Sequence, residues 1–185
     1  MSLDLHQVLK AFGAKSLKGS TTEVVDLVTI EKEIGIKFPT NYAELLCKFS
    51  ESIIFTKGVT FKPIETTPLS TSNGDNTLEI LFGLNGPSGM LPMYRRYKEQ
   101  LQEHLIAIGE SAGGDLICLS KLDHSVVLWN HDAVKNEHAT FIISSELDEF
   151  FLLFKEEDSE VSAMVDKIDK SKTSIRIKPK TINDS

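Results

Sequence analysis

The sequence predicts an α+β domain: an antiparallel or mixed twisted sheet of five to six strands, covered on one face by helices from the N- and C-terminal parts of the chain. Three observations carry this reading. Residues 31–50 spell the end of one helix, a turn and a second helix; residues 53–129 hold short apolar runs of strand length; residues 144–154 add a last helical stripe.

Taken in order, Leu5, Val8, Leu9 and Phe12 form a short helical stripe ending at Gly13, followed by a Lys/Gly/Ser connector over Lys15 to Ser20. Thr22 is placed to open the next helix, in which Leu27, Ile30 and Ile34 recur at helical spacing before Gly35, a natural left-handed stop. Pro39 suits the opening turn of a further helix, because its missing N–H has no partner there; Tyr42, Leu45, Leu46 and Phe49 then give one apolar stripe. Ile53 to Phe55 and Val59 to Phe61 flank Thr56-Lys57-Gly58 and read as a hairpin. Thr66 to Thr77 is rich in turn formers and reads as an exposed loop before a strand over Leu78 to Phe82.

Met90, Tyr94, Tyr97 and Leu101 lie on one face of a helix inserted between strands. Leu105 to Ile108, Asp115 to Leu119 and Ser125 to Trp129 are successive strands, and their short links favour antiparallel pairing. Ser144 or Ser145 can cap a helix that turns Leu147, Phe150, Phe151 and Phe154 inward. Beyond Lys155 the chain is polar; Val161, Met164, Val165 and Ile168 permit one marginal helix before expected disorder. The organisation is therefore an extension and connector over 1–20, a domain over 21–154 and a tail over 155–185.

At 185 residues the chain suits one domain that buries roughly 70% of its unfolded surface. No apolar run is long enough for a membrane span, and no apolar stretch follows a basic start, so a cytoplasmic protein is expected. The net charge is −7, and residues 155–185 balance at seven basic and seven acidic, so the excess belongs to residues 1–154. That balance disfavours nucleic acid as a partner, since phosphate contacts need clustered Lys and Arg. Cys47 and Cys118 both read as small buried hydrophobes, which speaks for reducing surroundings.

Glu31, Gly35-Ile-Lys-Phe-Pro39, Tyr42 and the pair Leu45-Leu46 resemble the signature of the SUKH superfamily, which includes the Smi and Knr cell-wall assembly regulators. Gly114-Asp115 opening a strand, then a strand carrying Trp129, is similar to a second element of that family, and Ile143 to Leu153 is like its closing helix. The likeness spans Thr22 to about Phe154. Ser50-Glu51-Ser52 departs from a frequent Asn-Gly-Gly, and the insert Thr66 to Thr77 is long for the family.

Several patterns invite a chemical reading. Gly109-Glu110-Ser111-Ala112-Gly113 matches a nucleophile elbow, yet the elbow needs a helix after its serine and here another strand follows. His124, His131 and His138 recur with Asp123 and Asp132 beside them; an extended Val126 to Trp129 holds His124 and His131 roughly 20 Å apart, which leaves His131 and His138 to meet near Asp132. Gly83, Gly86 and Gly89 precede a helix as in a phosphate cradle, but Pro87 removes an amide donor and no Gly-Lys-Ser/Thr ending follows. Tyr94-Arg95-Arg96-Tyr97 places its aromatics and cations on different sides of a helix, unlike a base-stacking platform.

No catalytic set, metal site or cofactor loop is expected, and the reading is of a non-enzymatic, protein-binding domain. The resemblance implies an immunity protein that occludes the active site of a basic nuclease- or deaminase-type toxin, with no nucleic acid and no membrane as partner. The alternatives are a regulatory scaffold of the Smi and Knr type and a small hydrolase using Ser111. Candidate partner-binding residues are Glu110, Asp115, Trp129 and Asp132, in or beside the sheet's connecting turns. Asp115 also suits a turn that needs its amides satisfied, and Trp129 suits the core equally well.

Overall fold

The two helix signals that the sequence spells most clearly meet at Glu31. Helix α1 covers Leu5–Ala11, α2 Leu27–Ile34 and α3 Thr40–Phe49. Asp26 caps α2 by accepting the Thr29 N–H at 2.9 Å, so the helix starts five residues beyond the expected Thr22. Gly35 stops it at φ 75°, ψ 40°, donating its N–H to the Glu31 carbonyl at 2.9 Å. Glu31 itself is buried at 7% exposure. Its Oε1 accepts the Phe38 N–H at 3.0 Å and its Oε2 the Lys37 ammonium at 2.7 Å. The glutamate thus holds the connecting turn so that Pro39, at φ −54°, can start α3 with Tyr42, Leu45 and Leu46 pointing into the core. Glu31→Ala leaves a buried amide without its acceptor, and should lower the unfolding free energy by about 1–3 kcal/mol in chemical denaturation, with Glu31→Gln losing less.

A computed structural model describes residues 3–17, 24–134 and 138–157 of the 185. Its sheet has eight strands: β1 Ala14–Ser16, β2 Ile53–Phe61, β3 Asn76–Leu81, β4 Leu105–Ser111, β5 Leu116–Ser120, β6 Val126–Trp129, β7 Thr140–Ser144 and β8 Lys155–Glu156. The order runs β1 to β7 as a meander, every strand pairing is antiparallel, and β8 joins β2. The α+β class holds, with more strands than the five to six expected.

The hairpin expected at Thr56-Lys57-Gly58 is a bulge within a single strand. Ile54 faces Ile80 and Val59 faces Leu78, so β2 carries extra residues against the same partner, with Gly58 at φ 70°. The bulge also divides the outer edge of β2. Its first half pairs with β1 and its second half with β8, which covers an edge that would otherwise be open to another chain. After β2 the chain crosses to the other end of the sheet, where Ile64 and Glu65 donate their N–H groups to the carbonyls of Ile143 and Ile142 on β7.

The insert over Thr66 to Thr77 is a largely exposed loop, as expected, until β3 begins at Asn76, and it is pinned from within. Thr67 and Asn76 are buried, and Asn76 Nδ2 donates to Thr67 Oγ1 while its Oδ1 accepts from Ser70, both at 2.7 Å.

Helix α4, Met90–Tyr97, falls between β3 and β4 as expected and buries Met90, Leu91 and Met93. Helix α5, Leu147–Leu152, starts at Glu146, and neither expected serine caps it: Ser144 donates its hydroxyl to the Glu146 carbonyl and Ser145 donates to the Glu149 carboxylate. The core's aromatic rings cluster where α5 meets β2. Phe150 stacks edge-on against Phe61 at 5.5 Å and Phe154 at 5.0 Å, and Phe154 in turn meets Phe12 at 6.0 Å. Leu5 and Leu9 of α1 are buried in the same core, at 1% and 0% exposure.

Cys118 is buried, and burial pushes its thiol pKa up. Cys47 corrects the expectation: it is exposed, because it sits on α3 beside the stripe of Tyr42, Leu45 and Leu46 and not within it. The marginal helix and the disorder expected beyond Lys155 lie outside the described residues.

Candidate partner-binding site

The turn between β4 and β5 places two glycines in succession in the left-handed region, Gly113 at φ 82° and Gly114 at φ 90°. A side chain is strained at either position, and the pair lets the chain double back within a three-residue 3-10 turn, Ala112–Gly114, closed by the Ser111 N–H to the Asp115 carbonyl at 2.8 Å. The reversal tucks Asp115 under the turn at 1% exposure. Its Oδ1 accepts the His131 backbone N–H at 3.1 Å and faces His131 Nδ1 at 2.9 Å. Its Oδ2 is buried and makes no hydrogen bond. On the other side of the imidazole, Nε2 lies 3.1 Å from Asp132 Oδ1, and Asp132 is held in place by its N–H to Asn130 Oδ1 at 2.8 Å.

Strand register supplies the remaining residues. Ile80, Glu110, Leu116, Trp129 and Thr140 stand directly opposite one another across β3 to β7 and so share one face of the sheet. Leu116 is fully buried, whereas Glu110 and Trp129 on either side of it are half-buried. Along β6, Val126 and Leu128 are buried, so Trp129 projects with Val127 from the less covered face. Of the four candidate residues, Asp115 and Asp132 meet at His131, and Glu110 and Trp129 lie in the adjoining row, two strands apart.

The electrostatics follow from that arrangement. His131 is held above the ordinary imidazole pKa, first by its hydrogen bond to Asp115; desolvation, the next largest effect, opposes this, and the charges of Asp132, Asp115 and Glu110 add to the rise.

Sequence reasoning weighed His131 as a metal ligand against a solvated loop histidine, favoured the second, and did not pair it with Asp115. The signal that could have found its role is hairpin arithmetic: Leu116 pairs with Trp129, so the residues just before one and just after the other meet at the open end of β5 and β6. His124 sits in the loop at the other end of that hairpin, and His138 packs against Phe141 at 4.9 Å. Among the described residues no group of three His, Cys, Asp or Glu side chains is arranged to hold a metal ion.

Ser111 is the end of a strand and not the tip of an elbow. It is 1% exposed, and its hydroxyl donates to the Thr77 carbonyl at 2.6 Å, whereas a nucleophile needs an open oxygen hydrogen-bonded to a base. No described helix is long and apolar enough to cross a membrane.

Fold and site together define an α+β domain whose distinctive polar residues brace a glycine turn at one end of an antiparallel sheet. The chain belongs to the SMI1 / KNR4 family (SUKH-1), whose model matches residues 22–153. It is similar to the SPbeta prophage-derived uncharacterized protein YokK of Bacillus subtilis (strain 168), at 27% identity over 145 residues that cover 72% of this chain and 75% of the relative. No solved structure matches it. The residues on which the resemblance rests serve the fold: Glu31 and Gly35 shape the turn that Pro39 ends, Tyr42 and Leu45 fill the core, and Gly114, Asp115 and Trp129 build the sheet end just described.

Proposed function

We propose that this chain is a non-enzymatic, cytoplasmic immunity protein that binds a basic toxin domain of the nuclease or deaminase type and occludes its active site. The observation that carries this reading is the placing of the accessible carboxylates Glu110 and Asp132 at one end of the sheet, beside a half-buried Trp129, with the buried Asp115 behind His131. Enzymes acting on nucleic acid collect positive charge around their substrate channels, so an acidic surface with an aromatic anchor is steered to such a channel and seated there. The −7 net charge, all of it in excess over residues 1–154, acts in the same direction over longer range. The prophage origin printed in the relative's name suits a gene carried alongside a mobile toxin. Family membership keeps a second reading in view, a regulatory scaffold of the Smi and Knr type.

The test is co-expression with the product of the neighbouring gene, followed by calorimetry on the purified pair. The double variant Glu110→Lys, Asp132→Lys should weaken the complex at least tenfold, about 1.4 kcal/mol, with the far-UV circular dichroism unchanged. Wild-type affinity should also fall as salt is added. A pair that does not associate, or a double variant that binds as tightly as wild type, removes the support for this surface.

A further inference from the structure

His131 stands between two carboxylates of opposite character. Asp115 is 1% exposed and pinned twice by the same histidine, through its backbone N–H at 3.1 Å and its Nδ1 at 2.9 Å. Asp132 is 83% exposed in its side chain and reaches Nε2 at 3.1 Å. An ionised carboxylate only accepts hydrogen bonds, and a neutral imidazole carries one N–H, so either neutral tautomer satisfies one of these contacts and sets lone pair against lone pair in the other. Only the doubly protonated ring donates to both. The charged groups that face it are Asp115 at the start of β5, Asp132 on its own loop and Glu110 on β4, all of them acidic.

We propose that His131 is the positioning residue of this surface: as an imidazolium it clips Asp132 to the buried Asp115, and when it gives up its Nε2 proton Asp132 is released as a free carboxylate. The proton balance is simple. Nδ1–H stays with Asp115, which is enclosed and cannot follow the ring away; Nε2–H goes to solvent; Asp132, held only by that contact and its own backbone, turns outward. The local charge of the four groups changes from −2 to −3 in that step. The raised pKa of His131 places the change on the alkaline side of an ordinary histidine. This deepens the binding role proposed above and rests on it for its biological meaning: a cationic partner group arriving at Asp132 competes with the imidazolium, so binding releases a proton and tightens by up to about tenfold per pH unit through the transition.

The experiment needs no partner. Full-length protein labelled with 15N at histidine is titrated by long-range 1H–15N correlation spectroscopy, which reads the protonation of each ring nitrogen separately. The expected result is a His131 midpoint above the ordinary value of about 6.5, with both nitrogens protonated below it and the Nδ1–H tautomer above it. Asp132→Asn, an exposed change that leaves the fold intact, should lower the midpoint and keep the Nδ1–H tautomer. A midpoint at or below the ordinary value, an Nε2–H tautomer at high pH, or a midpoint unmoved by Asp132→Asn overturns the clip. If the clip is found and the neighbouring gene product still does not bind, the immunity reading fails by itself. If the pair binds, a flat pH profile of affinity in wild type refutes the proposed linkage, and a rising profile that His131→Gln abolishes supports it.

Discussion

Phe150→Ala should lower the unfolding free energy by about 3–5 kcal/mol, the range for removing a fully enclosed aromatic ring. Phe150 is 0% exposed and touches three other rings, Phe61 at 5.5 Å, Phe151 at 5.3 Å and Phe154 at 5.0 Å. The effect is large because of what the ring joins. Helix α5 has six residues, too few to persist without tertiary contacts, and it is held to the sheet through Phe150 against Phe61 of β2. Phe154, just beyond the helix, meets Phe12 at 6.0 Å and Phe55 at 6.3 Å, so the same cluster ties the end of α1 to β2. An alanine at 150 removes the common neighbour of Phe61, Phe151 and Phe154, and the remaining rings are too bulky to close the gap without leaving their rotamers. Urea denaturation checks this: the midpoint should drop with the slope unchanged, whereas Leu152→Ala, at a side chain 65% exposed, should stay within about 0.5 kcal/mol. A loss below about 1 kcal/mol at Phe150 would mean that the cluster does not anchor α5.

Phe150 was legible in the sequence for the same reason that it matters, since Leu147, Phe150, Phe151 and Phe154 repeat at helical spacing and nothing else in the last third of the domain is as apolar. Gly35 and Pro39 were legible too, because a left-handed stop and a helix start are local events that one or two residues decide. What escaped the sequence depends on partners far away in the chain. Strands β1 and β8 have three and two residues, too short for any alternation, and exist because the bulged edge of β2 offers them amides and carbonyls. The bulge itself was read as a turn because Gly58 marks a positive φ in both. The choice between them is made by β3, which continues to pair on both sides of it.

The candidate site divides in the same way. Glu110, Asp115, Trp129 and Asp132 could be nominated from their nearness to turns, but the meeting of Asp115 and Asp132 at His131 follows from the β5–β6 register, which no single segment contains. Ser50 shows a local compromise. It takes φ 60°, ψ −55° with the Glu51 N–H donating to the Phe49 carbonyl at 2.7 Å, a γ-turn that costs most side chains about 1–3 kcal/mol. The departure from Asn-Gly-Gly at Ser50-Glu51-Ser52 therefore falls where the backbone is under strain.

Gly83→Ala should be at least as damaging as ordinary overpacking, which costs about 1–3 kcal/mol, because the atoms that a methyl group would strike cannot swing aside. A Cβ on Gly83 overlaps the carbonyl carbon and oxygen of Glu51 and the nitrogen of Ser52, all main-chain atoms. Those atoms belong to a crossing that several contacts fix at once. Ser52 Oγ accepts the Gly83 N–H at 3.1 Å and donates to the Ser88 carbonyl at 2.7 Å, and Asn85 N–H reaches the Ser50 carbonyl at 2.7 Å. Asn85 Oδ1 accepts the Val25 N–H at 2.7 Å, which brings the approach to α2 into the same crossing, and the Met90 N–H bonds the Gly83 carbonyl at 2.8 Å where α4 begins. Displacing the chain at Gly83 therefore disturbs the exit of α3 and the starts of α2 and α4 together. Gly86 supplies the control: it sits at φ 89° with open space around its Cβ, so Gly86→Ala meets backbone strain alone, about 1–2 kcal/mol. If Gly83→Ala proves no worse than Gly86→Ala in denaturation, the close crossing is not what the glycine is for. If it proves much worse, the glycine run that resembles a phosphate cradle is explained by backbone packing: its Gly83 and Met90 amides are already committed to Ser52 and to Gly83, and neither is free to receive an anion.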